Sequence, residues 1–115
     1  FGTPGGDAQE QWTSQFFLNY VDFGMDIQEA LDAPTVHTNH FPSSFYPRRA
    51  YPAKVVAESR IPQPVIDELI KRGHRVEMTG EWSNGKVMGI RFDKERGVIS
   101  GGVAAKGNIG YAIGW

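Results

Sequence analysis

The segment from Gly2 to Asp7 constrains the local fold of this chain more than any other feature of its sequence. In it, a proline and two glycines stand directly before an apolar-rich stretch, residues 8–23. Glycine permits positive φ and close approach of a ligand to the backbone, whereas Pro4 fixes its own φ near one value. Such a turn before a helix presents bare backbone N–H groups, and two neighbouring N–H groups can hold a developing oxyanion. The same residues are typical of a glycine turn that merely begins a helix. The turn alone leaves both interpretations open.

A second motif lies one helix further along the chain. It consists of Asp-Phe-Gly-Met at 22–25, Ala-Leu at 30–31 and Pro34. Together with Gly-Thr-Pro-Gly-Gly at 2–6, it resembles the C-terminal part of the small subunit of the γ-glutamyltranspeptidase (γ-glutamyltransferase) family. That family carries a G-[ST]-P-G-G turn followed by D-F-G-M-x-x-x-x-A-[LI]-x-x-P. The resemblance is strong over residues 2–37, is limited to the pattern of elements over 38–100, and is poor in the tail.

The resemblance implies a fold and a chemistry. The fold is α/β (α+β), part of the four-layer αββα sandwich of an N-terminal nucleophile hydrolase, and residues 1–115 form a single domain, a C-terminal fragment of the small subunit. A member of this family cuts itself as a proenzyme, and the new N-terminal threonine becomes the nucleophile with its own α-amine as base. A γ-glutamyl group then passes from glutathione or a related amide to water or an acceptor amine.

The resemblance also assigns roles to the residues of the turn. Gly5 and Gly6 donate their N–H groups to the oxyanion, and Thr3 and Pro4 support the loop on the substrate side. The nucleophilic threonine lies upstream of this turn, so it is absent from this chain. Thr3 is internal and has no free α-amine, which argues against it as a substitute. We therefore expect the chain alone to be inactive, with the remainder of its own proenzyme as partner and a small γ-glutamyl compound as substrate.

The tail departs from the family pattern. A D-P-R-type segment precedes the final glycines in typical members, but residues 100–108 and 110–115 contain none. The departure puts glutathione in doubt as the substrate. One alternative is an acylase of the same fold that resembles cephalosporin acylases and uses a different acyl donor. A second is a non-catalytic interaction module whose glycine turn only resembles that of the family.

Composition and charge exclude several classes of function. The formal net charge is −1 and the longest basic run is Arg48-Arg49, which argues against nucleic-acid binding. No apolar run is long enough to span a bilayer. We interpret the chain as lacking its original N-terminus, so periplasmic, secreted and cytoplasmic locations all stay possible. Cysteine is absent, and His37 and His40 have only Asp32 as a nearby carboxylate. We therefore expect neither a metal site nor a cofactor.

Periodicity and capping residues predict three helices. The first runs from Ala8 to about Phe23, with Asp7 as N-cap and Gly24 after its end. Its apolar face comprises Trp12, Phe16, Tyr20 and Phe23. A D-x-x-E pattern begins the second at Asp26 and Pro34 ends it, whereas Pro64 begins the third and Gly73 ends it.

Five further segments are predicted to be strands. The strands are Thr35–Thr38, Lys54–Ala57, Arg75–Met78 and a hairpin formed by Val87–Phe92 with Val98–Val103. Half of a sandwich leaves apolar surface exposed on the first helix or on the hairpin. The isolated chain should therefore self-associate.

Overall fold

In the computed structural model, residues 1–107 and 110–113 are described, and they divide into two compact units. Unit 1 comprises Phe1–Ala33 and the described residues from Gly85 onward, and unit 2 is the uninterrupted segment Pro34–Asn84. Tail residues Asn108, Ile109, Gly114 and Trp115 lie outside the described residues. The single domain over residues 1–115 stays a prediction.

The chain forms three α-helices and five strands within its described part. In order they are a 3-10 turn Gly6–Ala8, α1 Gln9–Val21, α2 Ile27–Asp32, β1 Val36–Thr38, β2 Lys54–Glu58, α3 Gln63–Lys71, β3 Arg75–Thr79, β4 Met88–Asp93 and β5 Val98–Val103. Each predicted strand is present to within one residue at either end.

Helix α1 differs from its prediction at both ends. Asp7 is not the N-cap, because residues Gly6–Ala8 close a 3-10 turn first and Ala8 becomes the residue before the α-helix. The helix ends at Val21, and Gly24 then adopts a φ of 68°. This left-handed residue lets the chain fold back, so that the N–H of Met25 donates to the Asn19 carbonyl at 3.1 Å.

Helix α2 begins and ends as predicted. The Asp26 carboxylate accepts the N–H of Glu29 at 2.8 Å, and the Glu29 carboxylate accepts the N–H of Asp26 at 3.1 Å. The capping box therefore satisfies two N–H groups that a helix start otherwise leaves without partners. Ala33, directly before Pro34, leaves the helical region with φ −53° and ψ 142°.

Strands β4 and β5 form an antiparallel hairpin that has two different faces. One face lies against the helices of unit 1, since a Cβ at Gly89 would stand 3.1 Å from Phe16 Cζ and one at Gly102 would stand 2.8 Å from Leu31 Cδ1. The other face is apolar and exposed. It carries Met88, Ile90, Phe92 and Ile99, whose exposed fractions are 45%, 76%, 58% and 69%.

The core of unit 1 lies between the helices and the hairpin. Its buried members are Phe16, Ala30, Leu31, Val87 and Ala104, and Trp12, Tyr20, Met25 and Ile27 pack against them. Three of the four side chains predicted for the apolar face of α1 are therefore in or against this core. The fourth, Phe23, is 72% exposed because the helix ends before it.

Unit 2 is a three-stranded sheet in the order β1-β2-β3, with α3 connecting β2 to β3. Strands β1 and β2 pair antiparallel, whereas β2 and β3 pair parallel. The central strand β2 is buried along Val55–Glu58, and Ile66 of α3 is buried too. Among the described residues, none of the helices has the length and apolar character of a membrane span.

Candidate functional site

The turn before α1 presents two backbone N–H groups to solvent. Gly5 has φ 144° and Gly6 has φ 56°, both in the region that favours glycine, and both residues are exposed. Their carbonyls accept from residues of the first helical turn, with Ala8 N–H donating to Gly5 O at 3.2 Å. Neither glycine N–H donates to an acceptor in the part of the chain that the structure describes. The turn therefore holds two adjacent donors available to an external acceptor.

The residues before these glycines fasten the turn. Thr3 Oγ1 donates to the carbonyl of Pro4 at 2.7 Å. Gly2 pairs with Met88 at the start of β4, with N···O distances of 3.0 and 2.8 Å in the two directions. Thr3 thus has a local bracing contact, and the start of the turn is joined to the hairpin.

A contact that the sequence did not predict lies beneath the turn. The six-membered ring of Trp12 lies so close to Gly5 Cα that a Cβ built at position 5 would overlap Trp12 Cζ3 and stand 3.0 Å from Cε3. Trp12 follows Gly5 by seven residues and belongs to the first turns of α1. The apolar periodicity placed Trp12 on the core face but gave no signal for this second contact.

The histidines of the H-x-x-H motif lie in unit 2. The ring of His40 stacks on His74, with centroids 5.7 Å apart and planes 12° apart. Burial lowers the pKa of His37, the positive charge of Lys54 lowers it further, and Glu77 opposes both effects. Within residues 1–107 and 110–113, no three histidine or carboxylate groups come together as a metal site would need.

Asp32 has a structural role in unit 1. Its carboxylate accepts the N–H of Ala105 at 2.9 Å and the side-chain amide of Gln28 at 2.9 Å. These bonds tie the end of α2 to the segment after β5. Both carboxylate oxygens of Asp32 therefore accept hydrogen bonds within the protein.

A buried carboxylate in unit 2 was also not predicted. Glu58 is fully buried, and its Oε1 accepts from Arg60 Nε and, at 2.9 Å, from the N–H of Trp82. The Arg60 guanidinium carbon lies 3.5 Å above the Trp82 ring. Trp82 has φ 57°, so the carboxylate holds a bulky residue in a backbone conformation that it rarely adopts.

Comparison with known proteins places this turn in a family. The sequence model of the family described as Gamma-glutamyltranspeptidase matches residues 1–113. The chain belongs to this family. The match extends the resemblance carried by the two motifs of residues 2–37 to nearly the whole chain.

Curated relatives in this family are much longer than this chain. The Glutathione hydrolase proenzyme of Bacillus subtilis (strain 168) is 30% identical over 113 residues, which cover 98% of this chain and 17% of the relative. The Glutathione hydrolase-like YwrD proenzyme of the same organism is 29% identical over 117 residues, 99% of this chain and 21% of the relative. The chain thus spans about a fifth of the curated relatives it matches.

Solved structures give the same fold. The structure of LmbA2991HD is 41% identical with a TM-score of 0.92, over 99% of this chain and 20% of that chain. Cephalosporin acylase from Bacillus halodurans is 29% identical with a TM-score of 0.74, over 91% of this chain and 18% of that chain. An acivicin-inhibited gamma-glutamyltranspeptidase is 26% identical with a TM-score of 0.72, over 94% of this chain and 53% of that chain. The predicted fold class, α+β within the N-terminal nucleophile hydrolase sandwich, is confirmed.

Proposed function

We propose that this chain is the C-terminal part of the small subunit of a γ-glutamyltranspeptidase-like enzyme and supplies its oxyanion hole. The enzyme transfers a γ-glutamyl group from glutathione or a related amide to water or an acceptor amine. Gly5 and Gly6 donate their N–H groups to the tetrahedral oxygen. The nucleophile and the groups that grip the acyl donor come from the remainder of the proenzyme, so the chain alone does not turn over substrate.

The observation that carries this proposal is the pair of unused donors at Gly5 and Gly6. The first N–H groups of a helix have no intrahelical acceptor, and these two adjacent donors have none among the described residues. The contacts of Thr3 and Gly2 fasten the turn from one side, and the 3-10 turn into α1 fastens it from the other. Donors fixed before the reaction begins need no reorganisation in the transition state, which is what makes an oxyanion hole effective.

The exposed face of the hairpin fits the rest of the proenzyme as partner. Its apolar side chains stand on the face opposite the helices of unit 1. Monomeric proteins rarely leave such contiguous apolar surface in water. A second sheet from the remainder of the same polypeptide covers this face in the complete sandwich.

An acylase of the same fold is the second candidate. The similarity to a cephalosporin acylase reaches a TM-score of 0.74, and the tail lacks the D-P-R segment. Two chromogenic anilides separate the candidates in the full-length parent, because γ-glutamyl and glutaryl p-nitroanilide differ only in the α-amino group. A transpeptidase prefers the γ-glutamyl compound in kcat/KM, whereas an acylase prefers the glutaryl compound or another acyl chain without the amine.

The oxyanion assignment is tested by deleting one N–H without adding a side chain to the turn. Replacing Gly6 by glycolic acid, through nonsense suppression, exchanges the N–H for an ester oxygen. This change should lower kcat of the parent enzyme by about 10²–10³, with a much smaller change in KM. Gly6→Ala is a weaker test, because a φ of 56° strains any L-residue by about 1–2 kcal/mol while the N–H remains.

A matched control is the same ester at Gly24, another glycine with positive φ in unit 1. It should leave kcat unchanged. Both variants are first shown to be folded and self-processed by circular dichroism and gel electrophoresis. A folded, processed Gly6 ester with near-normal kcat would remove Gly6 from the mechanism.

A further inference from the structure

The ring of Trp12 lies so close to Gly5 that position 5 has no room for a side chain. A Cβ on Gly5 would overlap Trp12 Cζ3 and stand 3.0 and 3.2 Å from Cε3 and Cη2. The ring therefore occupies the space on one side of the Gly5 backbone. A glycine whose φ is 144° would otherwise have several accessible conformations, because it lacks a Cβ.

The indole ring is itself held from below. Trp12 packs against the core of unit 1, which includes Phe16 and Leu31, and its backbone belongs to α1. The ring thus lies between a packed core and the Gly5 backbone. Backbone rotations that carry Gly5 Cα into the space of the ring would require the ring to move, and core side chains in close-packed surroundings move little.

We propose that Trp12 is a positioning residue for the oxyanion turn, which fixes the Gly5 backbone so that both glycine N–H groups point to one acceptor. The proposal rests on the proposed oxyanion role of Gly5 and Gly6. Trp12 acts through its contact with the Gly5 backbone. It keeps two donors in the orientation that the transition state needs, and small errors in such an orientation cost rate more than binding.

The test uses the full-length parent enzyme with graded changes at Trp12. Trp12→Phe keeps a flat ring beneath Gly5, whereas Trp12→Leu keeps apolar volume but removes the ring. We expect Trp12→Leu to lower kcat by about 10- to 100-fold with KM changed less than about threefold. Trp12→Phe should retain most of kcat. A merely structural role would lower the amount of folded, processed enzyme without separating kcat from KM.

Tyr20 provides the matched control, since it is another partly buried aromatic residue of α1 that packs on the same core. Tyr20→Leu should cost stability but leave kcat per folded enzyme unchanged. Kinetic constants are normalised to processed enzyme counted by active-site titration, so partial misfolding does not enter them. If Trp12→Leu keeps kcat within about twofold, or if Tyr20→Leu lowers kcat equally, the positioning role is overturned.

The Gly6 ester variant shows whether a negative result concerns only the positioning role of Trp12 or also the proposed oxyanion role of the glycines. An ester that lowers kcat, beside a Trp12→Leu variant that does not, overturns only the role of Trp12. An ester without effect overturns the oxyanion assignment, and the role of Trp12 falls with it.

Discussion

The buried carboxylate of Glu58 accepts the backbone N–H of Trp82 at 2.9 Å, although the two residues are 24 positions apart. The bond holds Trp82 at a φ of 57°, and the Arg60 guanidinium covers the indole ring from 3.5 Å. A residue keeps a strained backbone conformation only when contacts with its surroundings hold it there. Here a single carboxylate joins the end of β2 to the segment after β3.

Glu58→Gln should therefore destabilise the chain strongly. Both carboxylate oxygens accept N–H groups, one from Trp82 and the other from Thr35 at 3.4 Å. A glutamine must point its amide NH₂ at one of these donors and leaves Arg60 without its charge partner. We expect a loss of about 3 kcal/mol in the free energy of unfolding, measured by urea denaturation.

Glu68 offers a control for the loss of charge alone. It pairs with Lys71 and Arg72 on the exposed side of α3, where ion pairs are worth little. Glu68→Gln should cost about 0.5 kcal/mol or less. Equal effects of the two substitutions would show that Glu58 does not anchor Trp82.

His37 should make the stability of unit 2 depend on pH. Burial and Lys54 lower its pKa below the ordinary value of 6.5, so the folded state favours the neutral ring. The unfolded chain then binds the proton more readily than the folded chain. The contribution of His37 is complete above about pH 6.5 and is lost as the pH falls below that value toward the lowered pKa.

The measurement is the melting temperature of wild type and His37→Gln between pH 7.5 and 5.5. The difference between the two proteins isolates His37 from the other titrating groups. Wild type should lose more stability than His37→Gln over this range. Parallel curves for the two proteins would contradict the prediction.

The 115-residue chain should self-associate through the exposed hairpin face. Ile90 and Ile99 lie on that face and are 76% and 69% exposed. Replacing both by threonine keeps β propensity while removing apolar surface, and it should shift light scattering toward the monomer. Val98→Thr, on the opposite face of β5, should have less effect. A wild-type chain that stays monomeric at micromolar concentration and binds no hydrophobic dye would count against the prediction.

The sequence predicted local features of the fold well. The capping box at Asp26 and Glu29 and the stop before Pro34 each depend on residues within a few positions. The start of α1 was predicted less well, because a 3-10 turn and an α-helix compete for Gly6–Ala8 and capping propensity does not decide between them.

Contacts between distant residues could not be predicted in this way. Lys106 would be expected on a solvated surface, but it is fully buried and its ammonium donates to Ala33 O at 2.5 Å, beside the C-terminus of α2. The partners of Glu58 and the contact of Trp12 with Gly5 likewise depend on how helices and strands pack. The glycine turn could be predicted because its residues are five consecutive positions, 2–6, whereas the contact of Trp12 with Gly5 comes from a residue outside them.

The insertion of unit 2 between the two parts of unit 1 has a consequence for the order of events on the ribosome. Residues 34–84 leave the ribosome as one uninterrupted segment and carry every strand of their own sheet. Helices α1 and α2, by contrast, pack against a hairpin that begins more than fifty residues after α2 ends. The second unit can therefore fold first during synthesis. Gly2, at the start of the glycine turn, can form its bridge to Met88 only after β4 has been synthesised. The start of the turn is thus fixed only after β4 has been synthesised, although it is encoded more than eighty residues earlier.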